Sequence, residues 1–201
     1  MNKTLLQVNA SLFSGAGQST RLADAFVAGW RARNPGATVT VRDLAADPVP
    51  HLTAERFQAF LTKPEDRTAN QRVEAGYSDA LIDELKRADV IVLGVPLYDF
   101  DVPSTLKAYF DHIARAGVTF RYTEKGPVGL LGGKKVYVFA ARGGYYAGQP
   151  QDTQSAYLRN FFGLLGLTDI EFVYAEGLAL GADSREAALR AVGERIGQLA
   201  A

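Results

Sequence analysis

The chain has 201 residues, of which 47% are hydrophobic and 22% charged, so its length and composition fit one globular domain and exclude wholesale disorder. Its 22 basic and 22 acidic residues give a net charge of +0, which leaves no basic excess to bind nucleic acid or an anionic membrane. Cysteine is absent and histidine occurs twice, whereas glycine occurs 20 times, so disulfides and thiolate metal sites are excluded and a cofactor held by backbone groups is favoured.

Short apolar segments alternate with amphipathic stretches along the chain. The predicted strands are residues 4–8, 38–41, 90–95, 136–139 and 170–174. The third is an unbroken apolar run, which is typical of a strand buried on both faces of a parallel sheet. A long segment that contains Pro48, Pro50 and Pro64 leads from the second strand to the second predicted helix.

Apolar residues recur at helical spacing between the strands and after the last one. These stripes are Leu22, Phe26, Val27 and Trp30; Leu81, Ile82 and Leu85; Leu106, Tyr109, Phe110 and Ile113; Leu158, Phe161, Phe162 and Leu165; and Leu189, Val192, Ile196 and Leu199. Thr68 with Gln71 predicts a capping box at the start of the second helix, and Asp183 with Glu186 predicts another at the start of the last. Residues 117–133 are rich in glycine and β-formers, which predicts a small excursion or hairpin.

The alternation of strands and helices predicts five βα units in a single domain over residues 1–201. Such units form a parallel sheet with helices on both faces, and their crossovers are right-handed. We therefore predict an α/β fold with a doubly wound, five-stranded parallel sheet in the flavodoxin-like order 2-1-3-4-5. Composition alone does not separate this fold from half of a Rossmann domain.

A loop rich in glycine and hydroxyl groups, residues 11–20, follows the first strand and runs directly into a helix. Its small residues allow backbone N–H groups to close on an anion, and the helix N-terminus adds a favourable dipole. The loop has neither the dinucleotide fingerprint nor the P-loop pattern, so it favours a single phosphate. The alternative is an ordinary capped turn between a strand and a helix.

The loop after the third strand, residues 96–103, combines two aromatic and two acidic residues. Tyr98 and Phe100 offer a flat apolar wall for a planar ring at the ligand-binding edge of the sheet. The alternative is that both rings pack over helix ends.

The loop after the fourth strand, residues 140–146, contains a pair of glycines. Gly143 and Gly144 permit close backbone approach, and Arg142 with the neighbouring amides can meet electronegative atoms, although a flexible loop is the alternative. The three loops together describe a site for a planar mononucleotide such as FMN.

Five stretches of the sequence carry a resemblance to a known family, and the longest and most distinctive is residues 114–124. The others are residues 10–19, 41–46, 142–144 and 174–177. On these stretches the chain resembles, along essentially its whole length, the FMN-dependent NADH:quinone oxidoreductases that also reduce azo dyes, the azoreductase family.

The resemblance implies a homodimeric flavodoxin-like protein with one FMN per subunit, active sites at the dimer interface and no metal. It implies that FMN is held by three groups of residues. Ser11, Gly17, Gln18 and Ser19 would hold the phosphate; Leu97, Tyr98, Asp99 and Phe100 would line the isoalloxazine; and Ala141, Arg142, Gly143 and Gly144 would meet its polar edge.

Three positions depart from the family pattern. Gly17 and Ala141 stand where members often have serine, which removes one hydroxyl from each place. Asp99 stands where asparagine is common, and an ionised carboxylate accepts hydrogen bonds but cannot donate them. Its negative charge should disfavour the anionic reduced flavin.

The resemblance also implies a ping-pong reaction in which NADH or NADPH passes hydride to flavin N5 and a quinone or azo compound is then reduced by two electrons. Phe120, Tyr122 and Phe162 are candidates for an apolar lid over planar substrates, Phe120 as a residue of the partner subunit; the alternative is core or interface packing. The preference between NADH and NADPH stays open.

Four basic residues are interpreted as structural rather than catalytic. His51 and His112 have no partner motif, so surface or packing roles are expected. Arg115 and Arg121 are interpreted as structural or interface charges rather than substrate clamps.

An FMN-binding electron carrier is the alternative function, although such carriers are usually strongly acidic and lack the insertion at residues 117–133. A response-regulator domain would need acidic residues where this chain has Asn9, Ala10 and Ser11. The start of the chain does not read as a signal peptide, and no run of about 20 apolar residues occurs. We therefore expect a cytoplasmic protein without a membrane or nucleic-acid partner.

Overall fold

The computed structural model describes residues 3–199, so the predicted domain limits at residues 1 and 201 lie outside the described residues. The strands are β1 (Thr4–Asn9), β2 (Thr38–Asp43), β3 (Val90–Pro96), β4 (Phe120–Thr123), β5 (Gly126–Gly129), β6 (Lys135–Ala141) and β7 (Asp169–Ala175). The α-helices are α1 (Gln18–Arg33), α2 (Ala54–Leu61), α3 (Ala69–Arg87), α4 (Ser104–Ile113), α5 (Thr153–Leu165) and α6 (Ala182–Leu199).

Five parallel strands form the main sheet in the order β2-β1-β3-β6-β7. Counted within this sheet alone, the order is 2-1-3-4-5, which confirms the flavodoxin-like prediction. The first strand lies between the second and third, whereas in a Rossmann domain it lies between the second and fourth. The strands β4 and β5 pair antiparallel, so the hairpin predicted within residues 117–133 is also confirmed.

Helices cover both faces of the sheet, and each face has its own apolar core. Helices α3, α4 and α5 pack on one face, where β3 contributes Ile91, Leu93 and Val95. Helices α1 and α6 pack on the other face, where β3 contributes Val92. The third strand is therefore buried on both faces, as its unbroken apolar sequence predicts.

The starts of α3 and α6 test the two predicted capping boxes. Thr68 and Gln71 form the predicted capping box at the start of α3. The cap predicted at Asp183 is wrong, because α6 begins one residue earlier and Asp183 lies in its first turn. The preceding Gly181 has φ +113°, a conformation that favours glycine and sets where the helix begins.

Helix α2 has no counterpart in the predicted elements. It lies in the proline-containing segment and begins at a Thr53 cap whose hydroxyl accepts a hydrogen bond from the Arg56 N–H at 3.3 Å. Across residues 3–199, none of the helices combines the length and the apolar character needed to cross a bilayer.

Candidate active site

The carboxyl ends of three adjacent strands bring the predicted loops to one edge of the sheet. β1, β3 and β6 are neighbours, and backbone hydrogen bonds continue past their ends, from the Ala10 N–H to the Gly94 carbonyl at 2.9 Å and from the Leu97 N–H to the Ala141 carbonyl at 3.0 Å. An open cleft of about 850 Å³ is lined by Leu12 from the first loop and by Tyr98 and other residues of the second. This edge is where ligands bind in open α/β sheets.

The first loop is closed by a contact that leaves no room for a side chain at Gly17. A Cβ atom built there would lie 2.1 Å from the Ser11 Oγ and 2.5 Å from the Ser11 Cβ. Gly17 has an ordinary extended backbone, so glycine is required here by space rather than by backbone conformation. Ser11 therefore occupies the space that the side chain of a serine at position 17 would need.

Several polar groups of this loop point to an anion-binding role. The Ser19 Oγ and Thr20 Oγ1 are buried and have no hydrogen-bond partner within residues 3–199. Helix α1 begins at Gln18 without a side-chain cap, so N–H groups of its first turn lack intrahelical acceptors. Buried polar groups usually have a partner, so these donors are suited to an anion such as a phosphate.

The second loop forms a tight turn. The Tyr98 N–H donates to the Asp101 carbonyl at 3.2 Å, and the Asp101 N–H donates to the Tyr98 carbonyl at 2.9 Å. The central residues Asp99 and Phe100 have φ values of +51° and +65°, the feature of a type I′ turn. Positive φ is unfavourable for phenylalanine, so the surrounding structure must hold this turn in place.

Helix α5 supplies that support. The buried Gln154 Nε2 donates to the Pro96 carbonyl at 2.9 Å and to the Asp101 carbonyl at 3.0 Å, and the Thr153 hydroxyl donates to the Phe100 carbonyl. Neither Gln154 nor Thr153 carries a sequence signal of this role. The Phe100 side chain stays 46% exposed, with its ring edge-on to that of Tyr146 at a centroid distance of 5.5 Å.

The Arg142 side chain does not face this edge as a free cation, which corrects the expectation that its guanidinium meets a ligand. The side chain is 0% exposed and pairs with Asp152 at 2.8 Å and Glu176 at 3.2 Å. It also donates to the Ser155 Oγ at 2.9 Å and lies over the Tyr174 ring. Its charge is used inside the protein, where it organises the surrounding loops.

The contacts with Arg142 and Ser155 change the pKa of the Asp152 carboxyl. Burial raises the pKa of the Asp152 carboxyl, but hydrogen bonds from Arg142, the Ser155 N–H and the Ser155 hydroxyl outweigh burial and hold the pKa below its usual range. Asp152 is therefore a structural carboxylate that also caps α5.

The glycine pair of the third loop is partly accessible. Gly143 is exposed, and a Cβ atom on it would meet the Ala179 Cβ at 3.4 Å, whereas one on Gly144 would lie 2.9 Å from the Tyr146 ring. The preceding Ala141 is buried at the end of β6. This loop has a defined shape, fixed by packing and hydrogen bonds.

The three lid candidates occupy different environments. Phe162 is 1% exposed and packs against Phe110 and Phe161 in the core, so its prediction as a lid is wrong and the packing alternative is right. Phe120 is also buried in the single chain, with its ring edge-on to that of Tyr122. Tyr122 is 75% exposed, so of the three it alone presents an open aromatic surface.

Three of the basic residues interpreted as structural have well-defined surroundings. His112 is buried, its Nε2 lies 3.0 Å from the Pro50 carbonyl, and burial lowers its pKa. Arg115 pairs with Asp79 at 2.5 Å and lies over the Phe60 ring. His51 is exposed. The surface or packing roles expected for His51 and His112 are confirmed, and so is the structural charge expected for Arg115.

Comparisons with known proteins agree with this architecture. A family model described as a flavodoxin-like fold matches residues 3–200. A protein of Cellvibrio japonicus named FMN-dependent NADH:quinone oxidoreductase is 60% identical over 178 residues, 89% of each chain.

Two solved structures from Bacillus anthracis are similar over nearly their whole length. An azoreductase has a TM-score of 0.89 at 31% identity and covers 98% of both chains. An FMN-dependent NADH-azoreductase in complex with FMN has a TM-score of 0.86 at 26% identity and covers 99% of this chain and 100% of its own. This chain therefore belongs to the flavodoxin-like family that includes the FMN-dependent NADH:quinone oxidoreductases.

Proposed function

We propose that this protein is an FMN-dependent NADH:quinone oxidoreductase that also reduces azo compounds. The observation that carries the proposal is the meeting, at one sheet edge, of two structures: a loop whose buried hydroxyls find no partner among residues 3–199, and a strained aromatic turn. The names of relatives at 60% and 56% identity support the same activity and favour NADH as the donor. Cytoplasmic location and a single FMN-binding domain over residues 1–201 are part of the proposal.

The residues present fit a phosphate at the first loop. The Ser19 Oγ is a buried donor that finds no partner in the described part of the chain, and the N-terminus of α1 adds N–H groups and a favourable dipole. Ser11, Gly17 and Gln18 complete the loop. Glycine at 17 lets Ser11 approach closely, so the pocket is formed by backbone and short side chains.

The second and third loops would hold the ring of FMN. Leu97 and Tyr98 are partly exposed at the end of β3, and the turn at Asp99 and Phe100 fixes their direction. Gly143 and Gly144, after Ala141, offer close backbone approach to polar ring atoms. Arg142 contributes by holding this loop from inside rather than by contact through its side chain.

FMN and the protein would have separate roles in the reaction, which the available side chains define. When bound, FMN supplies hydride acceptance and donation at N5, in a ping-pong sequence from NADH to a quinone or azo acceptor. The chain's residues would bind and orient FMN and exclude water, and Tyr122, exposed on the β4-β5 hairpin, would present its ring to planar molecules at the site of a second copy. The two histidines take packing or surface positions, in keeping with chemistry that needs no protein acid or base.

The direct test mixes the purified full chain, saturated with FMN, with NADH and a benzoquinone. We expect FMN-dependent loss of NADH, and a Ser19→Ala variant that needs about tenfold more FMN for half-maximal rate because one hydroxyl donor is lost. Thr38→Ala, an exposed position at the other end of the sheet, is the control and should match the wild type. Absence of NADH loss in protein that binds FMN would favour the electron carrier.

The homodimer expected from the resemblance is also part of the proposal. Large apolar side chains stay exposed in the single chain, among them Phe13 in the first loop, Tyr145 in the third loop and Tyr122 on the β4-β5 hairpin. Burial of these side chains against a second copy would remove apolar surface from water. Light scattering coupled to size exclusion tests this, and a monomer at micromolar concentration would refute it.

A further inference from the structure

Glu176 connects two loops at the site edge, although no motif assigns it a function. It directly follows β7, the neighbour of β6, and its side chain is 15% exposed. A single carboxylate oxygen, Oε1, accepts from the Tyr146 N–H at 2.8 Å, the Ala147 N–H at 2.8 Å and the Arg142 guanidinium at 3.2 Å. Three donors on one oxygen indicate a fixed position for this group.

The two N–H groups belong to consecutive residues at the end of the glycine loop, residues 143–147. Backbone hydrogen bonds tie the start of that loop to the chain after β7, from Gly177 to the Gly144 carbonyl and from Ala179 to the Gly143 carbonyl, both at 3.0 Å. Those bonds hold the start of the loop, and the Glu176 carboxylate holds its end. Without it, the two amides would lose their acceptor while the start of the loop stayed attached.

Arg142 makes this arrangement electrostatically stable. Its guanidinium lies between Glu176 and Asp152, so a buried positive charge is balanced by two carboxylates. Asp152 caps α5, and Gln154 of the same helix holds the aromatic turn at Asp101. The glycine loop and the aromatic turn are thus connected through one set of buried polar contacts.

An ordinary ion pair would explain the contact with Arg142 but not the shared oxygen on two consecutive amides. A carboxylate that satisfies backbone N–H groups in this way fixes the conformation of the segment that carries them. We propose that Glu176 is a positioning residue that holds the end of the glycine loop, at Tyr146 and Ala147, in the shape that receives FMN. This inference rests on the proposed function, because it takes FMN as the ligand of the loop.

The first experiment measures amide hydrogen exchange in the protein without FMN, so it does not depend on the proposed activity. In Glu176→Ala we expect the Tyr146 and Ala147 amides to exchange at least about tenfold faster, with exchange in β3 and β6 unchanged. Glu171→Gln is the matched control, since Glu171 lies on β7 and pairs at the surface with Arg195. Unchanged exchange at Tyr146 and Ala147 in Glu176→Ala would overturn the proposal.

The second experiment titrates apoprotein with FMN and follows flavin fluorescence. We expect Glu176→Ala to bind FMN about tenfold more weakly and Glu176→Gln, which keeps an oxygen for the two amides, to stay within about threefold of the wild type. If Glu176→Ala does not fold, Glu176→Asp replaces it, because its charge is kept but its shorter side chain cannot reach both amides. A weak Gln variant beside a wild-type-like Asp variant would assign the effect to charge and overturn the proposal.

The two experiments separate the inference from the function on which it rests. If the wild type binds no FMN while the amides of Glu176→Ala exchange faster, the proposed function fails and the role of Glu176 in loop shape stands. If the wild type binds and turns over FMN normally and the variants do the same with unchanged exchange, the function stands and this inference fails.

Discussion

Gly17→Ala is the substitution whose effect the structure defines most sharply. The added methyl carbon would lie 2.1 Å from the Ser11 Oγ, 2.5 Å from the Ser11 Cβ and 3.3 Å from the Ser14 carbonyl oxygen. Alanine suits the backbone at this position, where φ is −69° and ψ is 140°, so the clash with Ser11 is the main source of destabilisation. Ser11 must therefore move, and its Oγ then loses the hydrogen bond from the Phe13 N–H at 3.2 Å.

The expected cost combines three contributions. Overpacking costs about 1–3 kcal/mol, and loss of the Ser11 hydrogen bond costs about 1 kcal/mol. Removal of a glycine stabilises by about 0.4–1 kcal/mol through the unfolded chain. We expect a net loss of about 1–3.6 kcal/mol in the free energy of unfolding, measured by urea titration, together with weaker FMN binding.

A matched control is present in the same loop. An added Cβ on Gly15 would meet no atom of residues 3–199 within 4 Å, so Gly15→Ala should leave stability unchanged or slightly higher. The double variant Gly17→Ala with Ser11→Gly removes the clashing side chain and should recover part of the lost stability. If Gly17→Ala is as stable as Gly15→Ala, the close approach of Ser11 does not constrain this loop and the reasoning is refuted.

Four further substitutions test other parts of the structure. Asp99→Asn removes a negative charge from the aromatic turn and should raise the reduction potential of bound flavin by about 20 mV, measured by spectroelectrochemistry. Equal potentials in the two proteins would show that the Asp99 charge does not act on the flavin. Asp152→Asn should lower stability at pH 7 by about 1–3 kcal/mol, since Arg142 loses a charged partner. The pKa of Asp152 in the folded protein lies below its usual range, so the stability that Asp152 contributes is present above the unfolded pKa and is lost as pH falls. The difference in free energy of unfolding between wild type and Asp152→Asn, measured by urea titration, should therefore narrow below about pH 4. A difference that stays constant would contradict this. Phe162→Ala should lower the free energy of unfolding by about 3–5 kcal/mol, whereas Tyr122→Ala should change it by no more than about 0.5 kcal/mol. Similar losses for the two variants in urea titrations would contradict the assignment of one ring to the core and the other to the surface.

The sheet could be predicted from sequence because periodicity is a local property with a direct physical cause. The run from Val90 to Val95 is apolar on both faces, and the structure buries both faces. Helix α2 carries a short apolar stripe, Phe57, Phe60 and Leu61, but its eight residues lie in a proline-containing segment that predicts a loop. Phe57 and Leu61 stay exposed, and the helix buries little more than Ala59, so packing gives this short stripe little support.

The position of the site could be predicted for a different reason. Parallel strands end at a common edge, so the loops after adjacent strands must meet once the strand order is known. The roles of single side chains could not be predicted in the same way. Arg142 follows a strand at the site edge, but its partners Asp152 and Glu176 come from two other parts of the chain, and only the tertiary fold brings them together.

The poverty of the chain in cysteine and histidine has a structural counterpart in how its charges are used. Arg142 and its two carboxylates form a buried charged cluster, and a buried ion pair contributes little net stability compared with apolar side chains of the same volume. The main effect of such a cluster is to fix the positions of its members, since a guanidinium binds partners in a fixed planar geometry. Here those partners are the residue that caps α5 and the residue that holds the Tyr146 and Ala147 amides. The ionisable groups near the site therefore shape backbone that would contact FMN, and a protein whose chemistry is supplied by its cofactor needs that shaping more than it needs an acid or a base.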